Sequence, residues 1–159
     1  GAARPALELA TRYTARRKAF GKPVREFEGV SFQVAEAVTL LDTCRAMTWS
    51  TARAVDSGCH PNYVRRLVSE TKKFVTEACQ EVARRAMQVM GGIGYTNVYP
   101  IERIVRDLAL ASIWTGTNEI MSLIIESEWQ KELHGRTEAV RDSEQDAERA
   151  GDQEEKVYE

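Results

Sequence analysis

The stretch from Pro61 to Met90 reads PNYVRRLVSETKKFVTEACQEVARRAMQVM, and its pattern decides the fold class. Apolar side chains recur in it mostly every three or four residues, which is the spacing of one face of an α-helix. The proline suits the first helical turn, where its missing N–H costs nothing. Gly91 and Gly92 end the pattern. The stretch therefore predicts one helix of about 45 Å at about 1.5 Å per residue.

Helical patterns of the same kind lie on both sides of this stretch. One is predicted over residues 5–17, and a second follows Ser31, which is expected to cap it. Two more are predicted after Pro100 and after Thr117, with Thr117 as the N-cap of the last helix. No strand-like alternation of useful length is present. The sequence therefore predicts an all-α fold, an antiparallel four-helix bundle with short connections.

Charge divides the chain into two parts. Residues 134–159 hold nine acidic and four basic side chains, whereas residues 1–133 hold 15 acidic and 18 basic ones, so the net charges are −5 and +3. We expect residues 1–133 to form the helical domain. Residues 134–159 are too poor in apolar side chains to order themselves, so we expect an acidic, disordered tail, with a long solvated helix as the alternative. The weakly basic domain suits an anionic ligand and does not suggest nucleic-acid binding.

Membrane, metal-binding and hydrolytic functions have little support in the sequence. No run approaches the roughly 18 apolar residues that a membrane helix needs. The three cysteines, Cys44, Cys59 and Cys79, contain no CxxC pair. They fit reduced structural thiols of a cytoplasmic protein better than a metal site. With His60 and His134 as the only histidines, no Ser–His–Asp or Cys–His constellation stands out.

Three loop clusters are candidate ligand sites, and each also has a purely structural interpretation. Residues 16–18 (RRK) either complement the carbonyl groups at a helix end or clamp a phosphate. Residues 91–94 (GGIG) fit a helix C-terminal turn with positive φ better than a dinucleotide fingerprint, because no strand precedes them. Residues 114–117 (WTGT) either relieve backbone strain and cap the next helix or bind an anionic or carbonyl-rich ligand.

In this order and spacing, the clusters resemble motifs of the acyl-CoA dehydrogenase family. Residues 17–23 (RKAFGKP) resemble its R-x-x-F-G loop, and residues 88–95 (QVMGGIGY) resemble its Q-x-x-G-G-x-G-[FY] turn. Residues 113–120 (IWTGTNEI), preceded by Arg106 and Asp107, resemble its E-G-T-x-[EQ]-I segment. The resemblance covers about residues 1–133, and it implies the C-terminal helical domain of a flavoenzyme that desaturates acyl-CoA thioesters.

The resemblance implies a role for each matching residue. Flavin adenine dinucleotide (FAD) would contact Arg17, Phe20, Gln88, Gly91, Gly92, Thr117 and Glu119. Trp114 and Gly116 would line the pocket for the acyl-CoA substrate, and no metal ion is implied. Family resemblance also implies a separate β domain that holds half of the flavin, a homo-oligomer (dimer or tetramer), and electron-transfer flavoprotein as electron acceptor.

Departures from the family pattern concern the catalytic base above all. Thr115 stands where many members have the glutamate that removes the α-proton, and a neutral hydroxyl cannot do so near neutral pH. Glu119 is the nearest following carboxylate, one helical turn further on. In some branches, such as the isovaleryl-CoA enzyme, the base comes from the helix that opens this domain, at a position that would fall just upstream of Gly1. Glu28 replaces a frequent glutamine, and Ala109 replaces a frequent basic residue.

These observations leave two interpretations of the chain. The first is the C-terminal domain of a longer FAD-dependent acyl-CoA dehydrogenase. The isolated domain would then be inactive. The second is a non-catalytic helical subunit or domain that supports oligomerisation and flavin binding. Thr115 favours the second, whereas Arg17, Gln88 and Thr117 favour the first.

Overall fold

A computed structural model describes residues 1–135 and 148–149, and its fold is almost entirely helical. The helices are α1 (Ala3–Arg16), α2 (Glu28–Asp56), α3 (Pro61–Met90), α4 (Gly92–Tyr95), α5 (Ile101–Ala111) and α6 (Asn118–His134). A two-stranded hairpin, β1 (Lys18–Ala19) and β2 (Lys22–Pro23), and a 3-10 turn, Val24–Glu26, connect α1 to α2. The predicted all-α class is confirmed. The detail of four helices is not, because the described residues form five helices of 11 to 30 residues and one of four.

The central element is α3, which packs against α1, α2, α5 and α6. The predicted helix is confirmed at both of its ends. Its buried positions recur every three or four residues and are mostly small: Ala78, Cys79, Val82, Ala83, Ala86 and Met90. Facing residues of α1 are also small, among them Ala3, Ala6 and Ala10. Small side chains on both surfaces let the helix axes approach closely and bury apolar area with few voids.

Both α2 and α6 run antiparallel to α3, because residue numbers fall on one helix as they rise on the other. The pairs in contact are Thr51–Thr71 and Cys44–Cys79 for α2, and Arg65–Glu128 and Lys72–Asn118 for α6. The α2–α3 interface is mostly apolar, whereas charged side chains join α3 to α6. The α5–α6 loop is therefore held to the surface of α3 by polar contacts.

Of the two predicted N-caps, one is confirmed and the other is wrong. Thr117 caps α6, because its hydroxyl accepts a hydrogen bond from the Ile120 N–H at 3.4 Å. Ser31 does not cap α2, which begins earlier, at Glu28. The Ser31 hydroxyl instead donates to the Glu28 carbonyl at 3.3 Å, inside the first turn. Gly29 made this start hard to predict, because glycine has a low helix propensity. The cost is only about 1 kcal/mol, and tertiary packing overrides it.

The predicted tail lies almost wholly outside the described residues. Helix α6 continues through His134, and the Gly135 N–H donates to the Lys131 carbonyl at 3.0 Å. The expectation of disorder concerns residues 136–147 and 150–159, which the structure does not describe, and it stays a prediction. In the part of the chain that is described, no helix is long and apolar enough to cross a membrane. No three His, Cys, Asp or Glu side chains of that part gather as potential metal ligands.

Candidate functional site

Four of the predicted FAD contacts lie in one cleft. Its walls come from the end of α1, the start of α2 and the turn between α3 and α4, and it encloses about 580 Å³. Arg17, Gln88, Gly91 and Gly92 all line it. We refer to it as the Arg17 cleft. The tertiary structure thus brings together residues from two sequence clusters that lie about 70 positions apart.

The backbone at Arg17 is fixed where α1 ends. Its φ of −67° and ψ of 128° have left the helix, while its N–H still donates to the Tyr13 carbonyl at 2.9 Å. Its own carbonyl accepts a hydrogen bond from the Val24 N–H at 2.8 Å. The side chain is exposed. A held backbone and a free, always charged guanidinium together suit the capture of an anion.

Gly91 and Gly92 present open backbone to the same cleft. Gly91 ends α3 with φ 68° and ψ −154°, a combination that essentially only glycine adopts. The predicted C-terminal turn with positive φ is therefore confirmed. A Cβ atom on either glycine would meet nothing within 4 Å, so both residues face open space. The missing side chains leave room for a ligand to approach the backbone closely.

Phe20 lies at the tip of the hairpin and does not line the Arg17 cleft. Phe20 and Gly21 have φ values of 53° and 83°, and two central residues with positive φ are typical of a type I′ turn. This turn leaves Phe20 96% exposed. Its one aromatic neighbour among the described residues is Phe27, with ring centroids 6.1 Å apart in an edge-to-face arrangement.

The predicted substrate residues lie in the loop between α5 and α6. Trp114 is 55% exposed. Thr115 has a φ of 52°, which is rare for a β-branched residue, and Gly116 follows with a φ of 91°. A Cβ atom on Gly116 would also come within 2.9 Å of the Met121 Cε. This sharp turn separates α5 from α6.

Thr117 and Glu119 line a second, smaller cleft of about 250 Å³, together with Glu77 and Gln80 of α3. A hydrogen bond with the Thr117 side chain, followed by one with the backbone, lowers the pKa of Glu119 below its ordinary value. A lower pKa means a weaker base. The lowered pKa therefore gives no reason to assign Glu119 the role of the missing catalytic glutamate.

Two residues that hold this region together, Lys72 and Asn118, were not predicted from the sequence. The Lys72 ammonium donates to the Asn118 Oδ1 at 2.7 Å, and Asn118 is only 6% exposed. The only local signal was an asparagine directly after the capping Thr117. A polar side chain at a helix start usually faces solvent, so the sequence offered no reason to expect its burial.

Comparisons with known proteins give a consistent assignment. The sequence profile described as acyl-CoA dehydrogenase, C-terminal domain, matches residues 1–129. An acyl-CoA dehydrogenase of Bacillus subtilis is 36% identical over 125 residues, which cover 79% of this chain and 32% of that protein. The caffeyl-CoA reductase–Etf complex subunit of Acetobacterium woodii is 30% identical over 125 residues, with the same coverage of 79% and 32%.

Solved structures agree in fold. The crystal structure of an acyl-CoA dehydrogenase from Geobacillus kaustophilus aligns with a TM-score of 0.75 and 36% identity, over 80% of this chain and 33% of that chain. The chain thus spans about a third of the length of the relatives it matches. The profile match and these alignments together show that this chain belongs to the acyl-CoA dehydrogenase family and corresponds to its C-terminal helical domain.

Proposed function

We propose that this chain is the C-terminal domain of an FAD-dependent acyl-CoA dehydrogenase, which desaturates the Cα–Cβ bond of an acyl-CoA thioester. The observation that carries the proposal is the Arg17 cleft, where a guanidinium, an amide side chain and open glycine backbone meet. Family membership supports the reaction class, because relatives of the same family are named as acyl-CoA dehydrogenases.

The chemistry of the Arg17 cleft fits the adenosine diphosphate part of FAD. A guanidinium fork matches phosphate oxygens and binds them through charge-assisted hydrogen bonds. The Gln88 amide can both donate and accept, as contacts with a nucleoside require. A volume of about 580 Å³ lies within the range of about 300–1,000 Å³ typical of ligand clefts. Bound FAD would supply the redox chemistry, and the protein would bind and orient it.

The α5–α6 loop is the proposed second half of the site. Thr117 offers a hydroxyl, and Glu119 a carboxylate, to the flavin from the smaller cleft. Trp114 and Gly116 are proposed to line the pocket for the acyl thioester. Because Thr115 cannot take the α-proton, the proposal requires a base from outside the described residues.

Partners are part of the same proposal. The described surface exposes many large apolar side chains: Phe20, Phe32, Trp49, Tyr95, Val98, Ile113, Trp114, Leu123 and Leu133. Large exposed apolar side chains are candidates for burial against other chains or domains. They support a homo-oligomer, a dimer or tetramer, in which Phe20 and Arg17 reach a neighbouring subunit. Electron-transfer flavoprotein is the proposed electron acceptor, supported by the relative that is named as a subunit of an Etf complex.

Flavin retention in the complete flavoenzyme tests the proposal. Arg17→Ala should raise the Kd for FAD about tenfold to a hundredfold, because a hydrogen bond to a charged group contributes about 1.5–3 kcal/mol. Arg16→Ala is the matched control, since Arg16 is exposed at the same helix end but does not line the cleft. The measurement is the flavin absorbance retained after dilution and gel filtration. Equal retention by the two variants would remove Arg17 from the flavin site.

One observation favours a second function, that of a non-catalytic domain supporting oligomerisation and flavin binding. It is the absence of a carboxylate at Thr115. If the base comes from elsewhere, Thr115→Val should retain most of the acyl-CoA oxidation measured with an artificial electron acceptor. If the wild-type enzyme is inert and Thr115→Glu restores a rate larger by about 10²–10⁴, the second function is the correct one.

A further inference from the structure

The loop that joins α5 to α6 is closed by hydrogen bonds between its two ends and α3. The Asn118 N–H donates to the Ser112 carbonyl at 3.0 Å. The Lys72 ammonium donates to the same carbonyl at 3.2 Å and to the Asn118 Oδ1 at 2.7 Å. One cationic group of α3 therefore joins the end of α5 to the start of α6.

The partners of Asn118 allow only one orientation of its amide. Its Oδ1 faces the Lys72 ammonium, which can only donate. Its Nδ2 donates to the Thr76 Oγ1 at 3.1 Å and to the Glu77 Oε1 at 3.1 Å. A carboxylate can only accept, so rotating the amide by half a turn would break both ends of the network. The side chain is thus fixed in place as well as buried.

The turn between the two closed ends contains one strained residue, Thr115. Thr115 and Gly116 both have positive φ, at 52° and 91°. Such conformations persist where the surrounding structure holds them. Lys72 is half-buried, so losing its ammonium would remove one of two donors from the Ser112 carbonyl. It would leave the buried Asn118 Oδ1 with only the more distant Thr76 hydroxyl, at 3.3 Å. The network therefore lies where it can oppose relaxation of the turn.

We propose that Lys72 is a positioning residue for the turn at residues 114–116, acting through Ser112 and Asn118. Lys72 itself is proposed to contact neither flavin nor substrate. Its effect on catalysis rests on the proposed function, in which this turn faces the flavin and the thioester. Its effect on the order of the turn does not rest on that function.

Lys72→Met in the complete flavoenzyme tests the proposal, because methionine keeps the length of the side chain but removes the charge and all donors. Amide hydrogen exchange in peptides covering residues 112–118 should be at least about tenfold faster, since local opening sets this exchange rate. The kcat per bound flavin should fall about tenfold to a hundredfold, the scale of a displacement near 1 Å. Lys72→Arg should recover most of both losses because it restores charge and donors.

Arg84→Met is the matched control. Arg84 lies about three turns further along α3, and its exposed side chain pairs with Glu81 at 2.7 Å, away from Asn118 and its partners. This variant should leave loop exchange and kcat unchanged. If Lys72→Met does not fold, Asn118→Ala provides the same test, because it removes one acceptor of Lys72 and both amide donors. Faster loop exchange and lower kcat are again expected.

Three results would be decisive in different ways. Unchanged loop exchange and kcat in Lys72→Met, or in Asn118→Ala if only that variant folds, would overturn the proposal. A lower Tm with faster exchange throughout the chain and unchanged kcat would also overturn it, because Lys72 would then be an ordinary stabilising contact. A wild-type enzyme that neither binds flavin nor oxidises acyl-CoA would refute the proposed function alone, and loop-specific exchange in Lys72→Met would still support positioning.

Discussion

Gly94 packs directly on the backbone of Met87: a Cβ atom at position 94 would lie 2.9 Å from the Met87 carbonyl oxygen. It would also lie 3.0 Å from the Met90 Cβ. Neither contact can be relieved by rotating a flexible side chain. The first and last glycines of the GGIG motif thus have different functions, since Gly91 supplies a backbone conformation and Gly94 lets α4 lie on the last turn of α3.

Gly94→Ala should therefore lower the free energy of unfolding by about 1–3 kcal/mol, the usual range for overpacking a tight contact. Gly92→Ala is the control, because a Cβ atom there would meet nothing within 4 Å and the residue lies in a helical turn. Urea unfolding followed by circular dichroism measures both variants. Equal stabilities would show that α4 shifts at little cost.

Thiol reactivity should distinguish the three cysteines. Burial, with the neighbouring Cys79 thiol as the next cause, raises the pKa of Cys44 to about 12. At pH 8 its thiolate fraction is then about one in ten thousand, and the thiolate is the reactive form. Cys59 is only partly buried. Ellman's reagent should label one thiol rapidly in the native protein and three in denaturant, and Cys59→Ser should abolish the fast phase. Rapid labelling of Cys44 would contradict the packing of α2 on α3.

Stability should depend on pH through Glu81. A hydrogen bond from Arg84, at 2.7 Å, is the largest cause that lowers the pKa of this carboxyl group below its ordinary value of 4.5, and Arg85 adds to it. Because the pKa of Glu81 is lower in the folded state, the charged carboxylate stabilises the fold at pH values above its pKa in the unfolded state. This stabilisation is lost as the pH falls through the pKa of the folded state.

Glu81→Gln should therefore lower the free energy of unfolding by about 0.5–1 kcal/mol at pH 7, a modest value because the carboxylate is partly exposed and solvent-screened. The difference from wild type should shrink as pH falls below 4.5 and should be smaller in high salt. Urea unfolding at pH 7 and pH 3.5 provides the comparison. A difference at pH 3.5 as large as the one at pH 7 would show that Glu81 acts through packing instead of charge.

Much of the helical framework could be predicted because its signals are local. The periodic apolar residues of α3, the proline at its start and Gly91 at its end act within a few residues of one another, so the printed sequence contains them all. The same holds for the Thr117 cap. Ser31 shows the limit of local signals, because Gly29 lies inside α2 against its propensity. The packing of α2 on α3 outweighs that propensity.

The sequence by itself determined the helical class, most helix ends and the family motifs. Only the tertiary structure decided which motifs share a cleft. Arg17 and Gly91 line one cleft, whereas Thr117 and Glu119 line a different one. It also decided that Asn118 is buried against Lys72, 46 residues away. The physical reason is that periodicity and capping depend on neighbours along the chain. Shared clefts and buried polar pairs depend instead on how whole helices pack, which no local pattern encodes.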